Sequence, residues 1–347
     1  MSYTRRDFGK LAASSAVAGL AIPGAALALP DSKIDGVQIG AITYSFRQGV
    51  PKADLPSVMA KIGLSEVELM SGDAEAIAGA PVAAGGGGGG RGRGAAGASG
   101  APGASGGGQR GGGRAPQTPE QQAAQAAARQ ALTDWRAAAT PATFQTVRKK
   151  FNDEGIDVQI LCYNMGVNVA DEEIDYAFRM AAALGVRAIS SSSTVMVAQR
   201  VAPFADKYKM FWGGHGHANI SDPEQFATEQ TFEKIMSFSK YIGANLDVGH
   251  YNQTGADAVA FVRKHHDRIT NLHIKDSTKP TTPGTSSNTL TPWGQGDAPI
   301  KEVLQLMKKE HYTFPANIEF EYTIPAGSDA PTEVAKCYAF AKACLAG

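Results

Sequence analysis

A (β/α)8 barrel is the fold this sequence predicts, on three observations. A helix, glycine, strand pattern repeats along the chain, eight strand-like segments alternate with helices, and the length fits. Setting aside the first 28 residues and the 55 of residues 79–133 leaves 264 of the 347, close to the ~250 typical of such a barrel. No G-x-G-x-x-G follows the first strand, so a doubly wound dinucleotide-binding sheet is disfavoured.

The elements follow in order. Thr4-Arg5-Arg6-Asp7-Phe8-Gly9-Lys10 precedes an apolar run from Leu11 that closes on Ala26-Leu27-Ala28. This resembles a twin-arginine signal peptide with an A-x-A cleavage site, spanning residues 1–28. It implies a protein carried by the twin-arginine export machinery to the periplasm or beyond, with residues 29–347 as the barrel domain. The run is too rich in Ala, Gly and Ser, and too interrupted by Pro23, to favour a membrane anchor. No later segment reaches the ~18 uninterrupted apolar residues of a stable membrane span.

The first strand is expected over Val37 to Ser45. Glycines suited to a left-handed helix cap then precede apolar runs four times: Gly63 before Glu66 to Met70, Gly155 before Val158 to Leu161, Gly185 before Val186 to Ile189, and Gly243 before Asn245 to Asp247. Further strands are expected at Met210 to His215, Ile269 to Lys275 and Asn317 to Glu321. Ile174, Ala177, Phe178 and Ala181 form one apolar helix stripe, and Val334, Cys337, Tyr338 and Ala341 another; both must cover a sheet.

After the second strand, residues 79–133 form a Gly/Ala/Arg-rich insertion. Residues 85–114 hold 17 of the 40 glycines, with Arg91, Arg93, Arg110 and Arg114 and no acidic residue. Such a stretch buries too little apolar surface to offset its chain entropy, and a tolerated loop is expected rather than a lid or an RNA-binding arm. Residues 117–138, with Trp135, read as a helix closing it.

Charge narrows the function. The chain carries 33 basic and 33 acidic residues, and beyond residue 28 the balance is 30 against 32. No positive field exists for nucleic acid. Cys162, Cys337 and Cys344 are too few and too widely spaced for a disulfide framework and read as core thiols.

A buried barrel strand should be apolar along its length, so acidic and imidazole side chains at its C-terminal end mark a site. Four successive strands end this way: Gly214-His215-Gly216-His217, Leu246-Asp247-Val248-Gly249-His250, Leu272-His273-Ile274-Lys275-Asp276 and Ile318-Glu319-Phe320-Glu321. Adjacent strands lie ~4.8 Å apart, so His215, Asp247, His273 and Glu319 can converge on one divalent ion. Their mixed nitrogen and oxygen donors suit Mn2+ first, then Zn2+, Co2+ or Fe2+. Tyr44, Phe46, Trp212, Tyr251 and Trp293 are aromatic candidates for stacking on a ligand at the mouth.

These segments, with Gly294-Gln295-Gly296-Asp297, resemble the signature run of the sugar phosphate isomerase/epimerase family, the xylose isomerase-like TIM barrels. Ile39-Gly40 through Tyr44-Ser45-Phe46 and Val67-Glu68-Leu69 are similar to that family's first two strands. The resemblance spans residues 36–345 without the insertion. It implies Asp247, His273 and Glu319 as metal ligands and places His250 and Lys275 near the substrate. His215 stands where many relatives have a glutamate, and His217 follows on the same strand face.

The expected chemistry is proton abstraction beside a carbonyl. A divalent ion holding adjacent carbonyl and hydroxyl oxygens acidifies the intervening C–H and stabilises the enediolate. Glu319 is the expected base and His215 or His217 the partner acid, with Lys275 in the catalytic group; His217, His250, Trp293, Glu68 and Tyr44 are expected to meet the substrate. The reading is a metal-dependent isomerase or epimerase of a non-phosphorylated sugar or keto-sugar. A lyase cleaving 3-keto-glycosides by β-elimination is the alternative, and a non-catalytic sugar-binding protein is the rival of another class. An abasic-DNA endonuclease is a further rival, disfavoured by charge, by the want of a richer multi-metal cluster and by the expected address. Whether the chain forms a homo-oligomer is left open.

Overall fold

The computed structural model describes residues 29–81 and 118–347; the twin-arginine segment and residues 82–117 of the insertion lie outside the described residues. Eight parallel strands close into a barrel: β1 (Val37–Ile42), β2 (Glu66–Met70), β3 (Asp157–Cys162), β4 (Ala188–Ser192), β5 (Phe211–His215), β6 (Ile242–Asp247), β7 (Ile269–Ile274) and β8 (Ala316–Ile318). Each pairs with the next, and β8 returns to β1 through Ala316 opposite Ile39, so no barrel edge is left open. The (β/α)8 expectation holds.

The helices in chain order are α1 (Leu55–Ile62), α2 (Ser71–Ile77), α3 (Pro119–Ala138), α4 (Pro141–Asp153), α5 (Asp171–Leu184), α6 (Val195–Tyr208), α7 (Glu229–Met236), α8 (Val248–Gln253), α9 (Ala258–His265), α10 (Ile300–Glu310) and α11 (Ala330–Ala346). Helix α5 shows why they form. Asp171, Glu172 and Glu173 occupy its first turn, where the helix dipole favours acidic groups, and Gly185 closes it in the left-handed region. Its stripe of Ile174, Ala177, Phe178 and Ala181 is fully buried against the sheet, as is the Val334, Cys337, Tyr338, Ala341 stripe of α11. All three cysteines are free and buried.

The helix expected to close the insertion is α3, started by a Thr118–Gln121 capping box. Trp135 packs edge-on to Phe144 at 6.2 Å, and the Arg136 guanidinium pairs with Glu75 at 2.7 Å.

One expected cap is corrected. Gly63, Gly155 and Gly185 have positive φ, but Gly243 lies within β6. A Cβ there would come 2.2 Å from the Arg268 carbonyl oxygen, so glycine is required by close backbone approach and not by a helix cap.

Inside the barrel the lining is unusually polar. Glu66 and Glu68 share the inward face of β2, and the Glu68 carboxylate accepts from Ser190 Oγ and, at 2.7 Å, from Asn271 Nδ2. Asn271 also donates to Asn317 Oδ1 at 3.1 Å, and Asn317 Nδ2 donates to Glu66 Oε2 at 2.5 Å. A ladder of hydrogen bonds therefore runs down the axis beneath the C-terminal strand ends.

Candidate active site

The site is assembled where β5 to β8 stop. One ligating atom from each of His215, Asp247, His273 and Glu319 falls within 4.8 Å of the other three, and all four side chains are buried. Asp247 ends β6, and its Oδ1 caps α8 by accepting from His250 N at 2.8 Å, leaving Oδ2 for the site. Gly249 makes room: a Cβ there would lie 2.2 Å from Lys275 Cγ. The D-x-G-H spacing thus lets the β7 end pass beneath α8.

His273 is held from both sides. Its Nε2 donates to Glu68 Oε2 at 2.6 Å and its Nδ1 to Glu319 Oε2 at 2.8 Å. Burial alone would discharge the ring, but Glu68 and Glu319 outweigh it and raise the pKa well above the ordinary histidine value.

Lys275 completes the cluster. Its Nζ lies 2.8 Å from Asp247 Oδ2, 2.7 Å from Glu319 Oε2 and 2.6 Å from Glu321 Oε2. Burial would lower the ammonium pKa, but Asp247, Glu319 and Glu321 together hold it well above its usual value. For Glu319, burial works to raise the pKa; the Lys275 and His273 charges prevail and hold it well below the usual carboxylate range. His215 and His217 go the other way. Burial, then His273 and His217, depress His215 far below the usual histidine value, and burial with His250 and Lys275 lowers His217 to about 4.

The opposite half of the mouth is apolar. Ile42, Met70 and Cys162, at the ends of β1 to β3, form a small buried cluster with Tyr44 packed on it. The Arg47 guanidinium covers the Tyr44 ring at 4.2 Å. A cavity of about 290 Å³, lined among others by Arg187, Phe211, His266 and Tyr312, opens at the N-terminal strand ends instead. Catalytic groups gather at the C-terminal ends of barrel strands, so the His, Asp and Glu cluster is taken as the site.

Residues 197–341 match the family model described as xylose isomerase-like TIM barrel. The fold is that of the xylose isomerase-like barrels. No curated protein matches the sequence. Among solved structures, D-psicose 3-epimerase crystallised in the presence of D-fructose shares 14% identity over 90% of this chain and 100% of that one, with a TM-score of 0.56. A sugar phosphate isomerase/epimerase from Parabacteroides distasonis gives 15% identity, 93% and 98% coverage and a TM-score of 0.54. A Bacillus anthracis structure described as the "probable 3-DHS dehydratase AsbF" gives 11%, 88% and 99%, and 0.55. At these identities the likeness is one of fold.

The structure brings together His215, Asp247, His273, Glu319, Lys275, His217 and His250, and sets Tyr44 beside them. Other expectations are corrected. Glu68 is fully buried with its carboxylate filled by Ser190, Asn271 and His273, so it positions His273 and has no face for a substrate. Trp293 is buried with its ring edge-on to Phe340 of α11, which leaves little of it open to a ligand. Phe46, Trp212 and Tyr251 pack in the core. Burial and the neighbouring rings lower the pKa of His215 and His217, which weighs against either as the partner acid.

Two participants were missed in the sequence. Glu321, two residues past Glu319, is the third carboxylate on the Lys275 ammonium. Asp276 is an organiser: its carboxylate accepts from the backbone N–H groups of Ser277, Gly294, Gly296 and Ala298, which ties the Gly-Gln-Gly-Asp loop to the end of β7.

Proposed function

We propose that the chain is a divalent-metal-dependent isomerase or epimerase of a non-phosphorylated sugar or keto-sugar, acting by proton abstraction next to a carbonyl. The observation that carries this reading is the convergence of His215, Asp247, His273 and Glu319 at the strand ends. The donor set suits a borderline or hard dication such as Mn2+. Two buried atoms in it have no hydrogen-bond partner of their own, His215 Nδ1 and Asp247 Oδ2, although Lys275 lies close to the latter. Four carboxylates, Glu68, Asp247, Glu319 and Glu321, face the Lys275 ammonium and the His273 ring, an excess of negative charge that favours a cation; a bound ion would take the place of the His273 Nδ1 proton while Nε2 stays on Glu68.

When bound, such an ion would polarise the substrate carbonyl and acidify the adjacent C–H. The protein's own groups supply the rest. Glu319 takes the proton once Lys275 and His273 are drawn off its oxygens. Lys275 then donates to the substrate oxygen on which charge builds. Glu68 holds the His273 ring in place through Nε2, and Gln253 does the same for His250 through Nδ1. His217 and His250 orient hydroxyl groups, and Tyr44, its ring carrying Arg47 on one face, borders the sugar. Export by the twin-arginine route belongs to the same proposal and favours a free sugar over a phosphorylated one.

One observation favours a second reading, β-elimination from a 3-keto-glycoside. Glu319 is the single glutamate among the four converging residues, and elimination needs one base where epimerisation needs a proton donor on the opposite face as well. The dehydratase description of the Bacillus anthracis structure agrees with that chemistry.

The test is incubation of Mn2+-loaded protein in D2O with free ketoses and 3-keto-glycosides. Deuterium entering at one carbon supports isomerisation or epimerisation, and release of aglycone supports elimination. Glu319→Gln is expected to lose at least ~100-fold in rate while retaining part of its metal, and His273→Ala to lose both. Near-normal turnover by the Glu319→Gln protein removes it as the base.

A further inference from the structure

The mouth contains a second convergence of ligating atoms, which meets the first at His215. His215, His217 and His250 each place a ring nitrogen within 4.8 Å of the other two. Their ring centroids are 4.8 Å apart for His215 and His217, 5.2 Å for His217 and His250, and 6.3 Å for His215 and His250.

The free lone pairs can be traced. The His250 Nδ1 proton goes to Gln253 Oε1 at 2.7 Å, and the Gln253 amide is fixed in that sense because its Nε2 donates to the Thr289 carbonyl at 3.4 Å. His250 Nε2 is therefore left as an acceptor, facing Lys275 Nζ at 3.2 Å. His215 is 6% exposed, and its Nδ1 has no hydrogen-bond partner. A buried ring nitrogen without a partner is costly unless something fills it.

The four-residue group differs in this respect. There the Lys275 ammonium and the His273 N–H groups already occupy the carboxylate oxygens. In the triad the one close contact is Lys275 on His250, and that ammonium has three carboxylates to turn to; the Asp247 and Glu321 oxygens stand back at 3.8 Å from the Nε2 atoms of His215 and His250.

We infer that His215, His217 and His250 form a cation seat of their own, sharing His215 with the neighbouring group and selecting a nitrogen-loving transition metal. Three imidazoles, with the nearest carboxylate oxygens of Asp247 and Glu321 at 3.8 Å from the His215 and His250 Nε2 atoms, suit Zn2+, Co2+, Ni2+ or Cu2+ better than Mn2+ or Mg2+, which prefer oxygen. Three histidines with room for a fourth ligand also match the donor count of an open, catalytic zinc site. The chain would thus sort ions by donor type, the oxygen-rich group taking Mn2+ and the triad taking Co2+ or Zn2+.

The test titrates metal-free full-length protein with Co2+, following the visible d–d bands, and with Mn2+, following the free-ion paramagnetic resonance signal. Co2+ affinity is expected to fall at least ~10-fold in His217→Ala and His250→Ala and to persist in Glu319→Gln and His273→Ala. Mn2+ affinity should show the reverse pattern. His217→Gln keeps the side-chain size and serves as the control if alanine lowers thermal stability. Wild-type Co2+ binding in His217→Gln, or its loss in His273→Ala, overturns the inference. Neither readout depends on turnover, so failure of the isomerase reading in D2O would appear separately.

Discussion

Lys275 is the residue on which the site's electrostatics turn. Its ammonium is 2% exposed and touches three carboxylates. A buried charge is stable only while its partners remain, and removing one partner of such a cluster costs about 3–5 kcal/mol. The Lys275→Met protein should therefore melt well below wild type when metal-free. Added Mn2+ should raise its melting temperature more than it raises that of wild type, because Asp247, Glu319 and Glu321 have then lost the ammonium they share. Scanning calorimetry with and without the ion decides this. Equal metal-free melting of the two proteins would show that the carboxylates do not rely on Lys275. The sequence placed Lys275 at the site but could not show this role, since the three carboxylates come from β6 and from beyond β8.

At the scale of elements, the end of β7 and the loop before α10 act as one unit through Asp276. Its carboxylate receives four backbone N–H groups at 2.8 to 3.2 Å. Burial raises its pKa in spite of those donors, so the carboxylate depends on the loop as much as the loop depends on it. Asp276→Asn replaces one acceptor oxygen by a donor facing N–H groups. The expected loss is about 1–3 kcal/mol, with faster amide exchange at residues 294–298 and little change at β3. Uniform exchange across the chain would refute a local tie. Both the H-x-K-D and Gly-Gln-Gly-Asp segments stood out in the sequence. Their connection did not, because the donors are backbone amides and carry no side-chain signature.

For the whole molecule, the barrel and its catalytic end were readable because a strand covered on both faces is apolar until it reaches the mouth, and polar letters mark the change. Depth was not readable. Phe46, Trp212, Tyr251 and Trp293 lie near strand ends in sequence but face the helical layer or the core, and the one-dimensional pattern does not separate the inside of a barrel from its outside. The polar axis was equally hidden, because Asn271, Asn317 and Glu66 are scattered among apolar neighbours.

That axis gives the molecule a pH dependence. Glu66 is fully buried, and burial, reinforced by Glu68, raises its pKa well above the usual value. The native chain then keeps a proton that the unfolded chain releases near pH ~4.3. Stability from this group is complete below that pH and is lost as pH rises through the raised native value. Glu66→Gln has no proton to lose, so its melting temperature should decline less between pH 5 and pH 8 than that of wild type. Parallel curves for the two proteins would show that Glu66 is ionised in both states.

The rungs linking Glu66, Asn317, Asn271 and Glu68 end on the His273 ring. Hydrogen bonds are directional where oily packing is not, so an error of aim introduced at the foot of the barrel is handed upward and not absorbed. The end of the molecule remote from any reagent is thereby held to the same tolerance as the end that meets it.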